Sequence, residues 1–450
     1  MSTITKYQTA STAFVQEAEV FADLYGKSNP ALTAIRKQAM AAFSSRGIPT
    51  MKHEEWKYVN LTSIAQTDYR TASPADSQKL SKSDAEQYRY AGQDAILCVI
   101  ENGKLNVAAS SMSDIPKGVR IGSIDDFSSD AAVMSHLFTH ASFEDEAMVA
   151  LNTMLCYSPI IIKVDAKVKC DTVIQLIFAT VPGVDPLLIP ARVLVVAEEQ
   201  SEFTVVESFH THGSGALTCN NIVSEVVVGK AARVHYAKVQ VEGDEAQHIN
   251  YHKVNMARDS YQHLTTLTLG GAIVRNNLNI RLDDEQVNAY LNGLYVLNQK
   301  QVIDNHTLVD HAMPNCYSNE LYKGIIGDQA QGVFNGKIWV REDAQKTNAY
   351  QSNKNLLLSN QASMNTKPQL EIYADDVKCS HGATTGQLDD EALFYLRARG
   401  IGETAARSLL NHAFAADVIE QVENETLRES LMQLLDVKLS SVADRSINYF

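Results

Sequence analysis

From about residue 159 the chain repeats one kind of segment for over two hundred residues: PIIIKVDAKV, TVIQLIFATV, ARVLVVAEE, EFTVVESFHTH and their successors down to QVNAYLNGLYVL and GVFNGKIWV. Each is rich in β-branched residues and partly alternating, as a strand requires. They recur roughly every 10–15 residues with almost no helical periodicity between them. An all-β region of that length is a barrel or sandwich of unusual size, or a solenoid. Two features favour the solenoid. Short Gly- or Asn-marked corners separate the strands, and Asn recurs at Asn276, Asn277, Asn279, Asn288, Asn292, Asn298 and Asn305. Stacked amides of that kind bond from rung to rung. No strict hexapeptide repeat accompanies them, so pattern alone leaves both architectures open.

Helical patterns flank this region. Residues 1 to about 70 are rich in Ala, Glu, Gln and Leu, with Phe14, Ala18, Phe21 and Leu24–Tyr25 at helical spacing. A second helix is predicted after Asn29-Pro30, ending at Arg46 before Gly47. Residues 71–90 read as a polar connection, AILCVIENGKLNVA as a hairpin about Asn-Gly, and 124–153 as helix again. After Gly386, Asp389 is a plausible N-cap, and Arg397 and Arg399 precede Gly400. The next helix, from about Gly402, places Ala406, Leu409, Leu410, Ala413 and Phe414 on one stripe, and a third is expected to run through Leu427, Leu431 and Leu434. The division is therefore 1–153, helical with a small hairpin; 154–385, the β region; and 386–450, helical. The last helices are expected to cap the open end of a solenoid or to dock a partner.

With 450 residues, 45% hydrophobic and 20% charged, the chain is globular in composition. Its net charge of −14 argues against nucleic acid or an anionic membrane as partner. Six cysteines stand singly at Cys98, Cys156, Cys170, Cys219, Cys316 and Cys379, with no CxxC, which excludes a zinc ribbon or thioredoxin-like site. The N-terminus lacks a basic and then apolar signal, and no run reaches the length of a membrane span. The expectation is a cytoplasmic protein with reduced thiols.

Few constellations carry chemistry. Cys379 and His381, in DDVKCSHGAT, point to one side if they lie on a strand. They supply two ligands where a structural zinc site needs four, so they are either core packing or half of a site completed by another chain. His210 and His212 repeat the H-x-H spacing, whereas His248 and His252 do not fit one ligand face. Asp283, Asp284 and Glu285 invite comparison with the paired carboxylates of β-helical polysaccharide lyases and hydrolases, but they sit where a turn is expected. Asp310-His311 lacks a nucleophile, and Trp56 in HEEWKY reads as a packing anchor. No GxSxG, HExxH or GxxxxGK[ST] is present, so any ATP would be bound by another subunit.

The segments VDHAMPNCYSNELYKGIIGDQAQGVFNGKIWV (309–340) and DAQKTNAYQSNKNLLLSNQASMNTKPQLEIYADDVKCSHGATTGQLDDEALFYLRARGI (343–401) closely resemble the SufB/SufD family of iron–sulfur cluster assembly proteins. PTMKHEEWKYVNL (49–61) and the Gly382 after His381 are similar to its SufD branch. The resemblance implies a right-handed parallel β-helix between helical domains, and a scaffold rather than an enzyme. It implies a SufB-like paralogue as partner and a SufC-like ABC-type ATPase docked on 386–436, with Leu393, Phe394, Leu396, Leu409, Leu410 and Phe414 as the apolar candidates for contact. It further implies a nascent iron–sulfur cluster formed where the two β-helices meet and not held tightly by this chain alone, with His381 as its ligand from this side and Cys379 as an interface neighbour of unassigned role. Two rival readings are a β-helical carbohydrate-active enzyme and a standalone homodimer binding metal through two copies of Cys379 and His381.

Overall fold

In the computed structural model, which describes residues 3–25 and 30–446, the β region is a solenoid. The chain alternates between two ten-stranded sheets, so that each coil adds one strand to each sheet. Within a sheet, each solenoid strand pairs in parallel with the strand one coil earlier and the strand one coil later. The length of the β region is thus resolved by stacking rather than by closing a barrel.

The corners explain how a sequence without a strict repeat holds this register. Lys167, Gln200, Ala231, Asp259, Gln286, Asn315 and Lys346 each lie in the left-handed region, with φ between 54° and 64°. They occupy the same corner of successive coils. The N–H of Lys167, Gln200, Ala231, Asp259, Asn315 and Lys346 donates to the carbonyl just before the equivalent corner of the next coil, at 2.6–3.1 Å. Such a φ costs a non-glycine residue roughly 1–2 kcal/mol, which the inter-coil bond offsets. Of these seven corner residues only one is Asn and none is Gly, so the Gly/Asn corner signal marks few of the positions that turn the chain. The expected asparagine ladder is also mostly absent. Asn276 donates to Asn305 at 3.1 Å, but Asn279 bonds Tyr251, Asn292 bonds His263 and Asn298 meets Lys438. Aromatic rings stack from coil to coil instead, through Tyr261, Tyr290, Tyr317 and Tyr350.

The flanks are woven into the solenoid. Helices α1 (Thr3–Tyr25), α2 (Pro30–Arg46), α3 (Thr62–Gln66), α4 (Lys82–Glu86), α5 (Ala131–Met134) and α6 (Ala147–Leu155) precede it. Pro30 opens α2 and Gly47 ends it with φ 66°, whereas Asn29 lies outside the described residues. Phe14, Ala18 and Phe21 are buried, but Leu24 is exposed. The helix expected over 124–153 is interrupted, because Phe138 takes φ 64° and residues 135–146 form turns between α5 and α6. The hairpin forms at Asn102-Gly103, and its first strand, Ile96–Glu101, joins the second sheet in parallel with residues 174–179. Val119–Ser123 extends the first sheet, pairing antiparallel with Ile160–Val164. Trp56 is the anchor that its setting suggested: buried, with the Arg275 guanidinium 4.5 Å from its ring centroid.

At the other end, α7 (Asp390–Ala398), α8 (Glu403–Ile419) and α9 (Glu425–Ser446) do not cap the last coil. They fold back along the outer face of the second sheet. Leu427, Leu431, Leu435, Leu439 and Val442 of α9 cover Val239, Leu267, Leu294, Val296 and Ile325 of the sheet. Lys323, buried on the Tyr317–Ile326 strand, donates to the Phe414 carbonyl at 2.8 Å and pairs with Asp417, which pins α8. That contact turns Ala406, Asn411, Ala415, Val418 and Ile419 inward. Leu409 and Ala413, predicted on the same stripe as Ala406, face outward while Ala406 is buried. Among the described residues no helix is long and apolar enough to cross a membrane.

The solenoid interior is apolar in its first coils, through residues such as Ile174, Leu176, Phe178, Val193 and Phe203, and carries buried polar groups among apolar ones in its middle and last coils. Glu320 is fully buried there, and desolvation pushes its carboxyl up to about 7 from 4.5. Gln351 of the next coil donates to it at 2.7 Å. Beside them the Tyr295 hydroxyl donates to Asn355 at 2.6 Å, and Asn355 donates to Asn353 at 2.7 Å.

Two stability measurements follow from this arrangement. Leu431→Ala empties a fully buried site between α9 and the sheet, and is expected to lower unfolding free energy by about 2–5 kcal/mol in urea titrations. A carboxyl kept protonated by burial gives stability that is complete below its unfolded pKa and is lost as pH rises through the folded value. For Glu320 that window runs from 4.5 to about 7. Glu320→Gln should therefore match wild type near pH 4 and exceed it by up to about 3 kcal/mol at pH 8.

Candidate functional site

The last coil is built from the strands Ser363–Ile372 and Val377–Gly386. They end the first and second sheets, and neither has a further strand beyond it among the described residues. Long exposed edges of this kind leave backbone donors and acceptors free to pair with another chain. Elsewhere the outer faces are clothed, the second sheet by α9 and the first sheet by the N-terminal helices through Leu188, Cys219 and Ile249. The end of the solenoid is bare.

Cys379 and His381 both lie on the final strand, as the strand reading required. Their surroundings differ. Cys379 is half-buried against Val377, Leu370, Ala349 and Ala374. Burial raises its thiol pKa, opposed in part by a backbone hydrogen bond from Ala349, so the side chain is a protonated, small apolar group at neutral pH. His381 is exposed. In register it stands over Gln351, which stands over Glu320, the three being in line across successive coils about thirty residues apart. The imidazole thus tops a polar column at the open end of the solenoid. Gly382 and Gly386 follow it on the same strand, and a Cβ added at either would meet nothing within 4 Å.

The other candidates separate cleanly. His210 is buried and stacked on Tyr88 with ring centroids 4.1 Å apart, and desolvation lowers its pKa to about 3. His212 instead takes a 3.0 Å hydrogen bond with the Tyr88 hydroxyl. The tyrosine sits between them, which does not suit one ion. His248 and His252 belong to the buried interior, where His248 lies 2.9 Å from Glu242 and 3.0 Å from Lys238 and His252 packs edge-on to Tyr236. Desolvation holds the Lys238 ammonium down to about 7 against the pull of Glu207 and Glu242. Asp283 and Glu285 occupy a corner and pair with Arg281 and Arg258 at 2.5 and 3.2 Å. Asp310 is held by Arg341 through two 2.8 Å bonds, while His311 meets Ser318 at 2.9 Å. Neighbours in a strand face opposite ways, so these two are no acid–base pair. Each of these acids lies beside an arginine, so none of them forms the paired carboxylates that the carbohydrate-active reading needs.

On the C-terminal helices, Phe394, Tyr395 and Leu409 are exposed apolar residues, at 73%, 56% and 52%. Leu396, Leu410 and Phe414 are half-buried. Leu393 is buried, so it supports this surface from beneath rather than forming part of it. The polar column of Glu320 and Gln351 escaped the sequence reading. Its only signal is a spacing of about one coil, which becomes visible once the coil length is known.

Comparison with known proteins agrees with this geometry. Residues 183–414 match the family model for the SufBD core domain of the SUF iron–sulfur cluster assembly system, and residues 10–176 match that for the SufBD N-terminal region. An iron–sulfur cluster assembly SufBD family protein of Synechocystis is 30% identical over 443 residues, covering 96% of each chain. The iron–sulfur cluster assembly protein SufD of Escherichia coli is 31% identical over 399 residues, covering 87% of this chain and 90% of its own. The chloroplastic protein ABCI7 of Arabidopsis thaliana is 29% identical over 409 residues, covering 88% and 84%. A β-solenoid with helical flanks, a bare final coil carrying C-x-H-G, and matches along nearly the whole length together mean that this chain belongs to the SufB/SufD family of iron–sulfur cluster assembly proteins.

Proposed function

We propose that this chain is a SufD-like scaffold subunit, whose last coil pairs with that of a SufB-like paralogue and whose C-terminal helices dock a SufC-like ATPase. The nascent cluster is the cargo of the joint, and His381 is its ligand from this side. The observation that carries the reading is the bare final coil: two edge strands unpaired on their outer side, with an exposed imidazole followed by Gly382 and open space. An edge of this kind is satisfied by a second sheet edge. Imidazole is a suitable iron ligand, and fewer ligands than a closed site requires suit an assembly that must release its product. Cys379, half-buried and protonated, supports the interface by packing in this reading.

The exposed Phe394 and Leu409, with Leu396, Leu410 and Phe414 beside them, offer the ATPase an apolar patch. Because Lys323 ties α8 to the Tyr317–Ile326 strand, a pull on that patch bears on the coils next to the cluster joint.

Co-expression with SufB-like and SufC-like subunits tests the assignment. His381→Ala should leave the ternary complex intact on size exclusion and lower its bound iron and acid-labile sulfide several-fold. Cluster content equal to wild type would remove His381 from the ligand set. The space at Gly382 gives a separate test. Gly382→Leu adds a side chain where this chain alone has room, so its own thermal midpoint should stay within a few degrees of wild type while its pairing with the SufB-like subunit weakens at least tenfold. Self-association of wild type through the same edge, unaffected by a SufB-like chain, would favour the homodimer.

A further inference from the structure

A second cluster of ligand-type side chains lies far from the final coil. His235 and His263 sit in register on the neighbouring strands Arg233–Gln240 and Tyr261–Thr268. Both point outward from the second sheet, since Val234 and Tyr236 beside His235 face the interior. Four strand spacings separate the His263 strand, and five the His235 strand, from the strand of His381, roughly 19 and 24 Å. Over the two imidazoles runs the turn between α8 and α9, which brings Glu423. Its Oε2 lies 3.6 Å from His235 Nε2, and one donor atom from each of the three residues falls within 4.8 Å of the other two.

The surroundings are those of a ligand set rather than of a satisfied core. His235 Nδ1 is buried and has no hydrogen-bond partner. The Asn292 side-chain amide lies 2.8 Å from His263 Nε2; turned so that its oxygen accepts the Nε2–H, it holds the ring with Nδ1 free to ligate, as an outer-shell partner does. Burial lowers the pKa of both rings, that of His263 to about 4, so each offers a lone pair at neutral pH. A cavity of about 20 Å³ opens between Thr204, His235, His263, Glu423 and Leu427, room for one small ion and little more. The turn is held from its own side as well: Asn424 caps α9 through the Leu427 N–H at 2.9 Å, and Arg428 bonds the Val422 carbonyl at 2.9 Å.

We infer that His235, His263 and Glu423 bind one divalent transition-metal ion of the zinc or ferrous class, with water in the remaining position. Two imidazoles and a carboxylate suit such ions rather than calcium or magnesium, which take all-oxygen sets. Bonds of about 2.0–2.2 Å require the three donors to close by roughly 1 Å, and the exposed Glu423 side chain has the freedom to do so. The ion clips the α8–α9 turn to the solenoid. Loading it therefore stiffens the attachment of the C-terminal helices, independently of whether the final coil holds a cluster.

The test uses the full-length chain, stripped of metal, in a His381→Ala background so that the final coil does not compete. Titration with Co²⁺, followed by its visible absorption and displaced by Zn²⁺, should show one equivalent bound and a raised thermal midpoint. Glu423→Gln, at a surface position, should weaken that equivalent at least tenfold, and His263→Gln should abolish it together with the rise in midpoint. The inference is overturned if the parent binds no Co²⁺, or if Glu423→Gln binds as tightly as the parent whatever His263→Gln does to folding. It is equally overturned if the bound equivalent survives both changes and vanishes with His136→Ala, which would move the ion to the stacked His136–His140 pair.

Discussion

The hydrogen bond that six of the seven left-handed corner residues make to the coil beyond is the interaction on which the rest of this molecule depends. A solenoid has no closure to define its register, and a slip of one residue would turn every inward side chain outward. Holding one corner in the same left-handed geometry in successive coils removes that freedom. It also relaxes the demand on side chains, which explains why the corner residues are as varied as Lys, Gln, Ala, Asp and Asn. Strain at each corner persists because the next coil over-determines it.

Register, once held, allows the interior to change character along the axis. Early coils are filled by Val, Ile and Phe, whereas later ones carry Glu320, Gln351, Asn353 and Asn355. Buried polar groups of this kind are tolerable only when they bond each other. The inter-coil spacing brings Gln351 onto Glu320 and His381 onto Gln351. The exposed imidazole of the final coil is therefore the end of a column set by the same geometry that sets the strands, rather than a feature added to the surface.

The helices complete the picture by deciding which surfaces stay open. By lying along the second sheet instead of across its end, α9 buries an apolar flank and leaves the last coil unpaired. Lys323 couples the two regions, since it is a strand residue whose ammonium is satisfied by α8. In the function proposed above, the sheet edge and the helical patch serve different partners, and this arrangement keeps the two surfaces mechanically joined but sterically apart.

The sequence by itself determined the long run of strands, the hairpin at Asn102-Gly103, the entry to α2 at Pro30, the Asp389 cap and the family to which the chain belongs, because each rests on local preference or on residues in unbroken succession. It also placed Cys379 and His381 on one strand. Only the tertiary structure decided that Cys379 is packing-bound while His381 is free, that Leu393 faces inward and Leu409 outward, and that Phe138 breaks a run that reads as helix. The same is true of Glu320 beneath Gln351 and of Glu423 above His235 and His263. The physical reason is that these relations join residues one coil or more apart. Coil length varies by a few residues from turn to turn, so no fixed period in the sequence announces which side chains will meet.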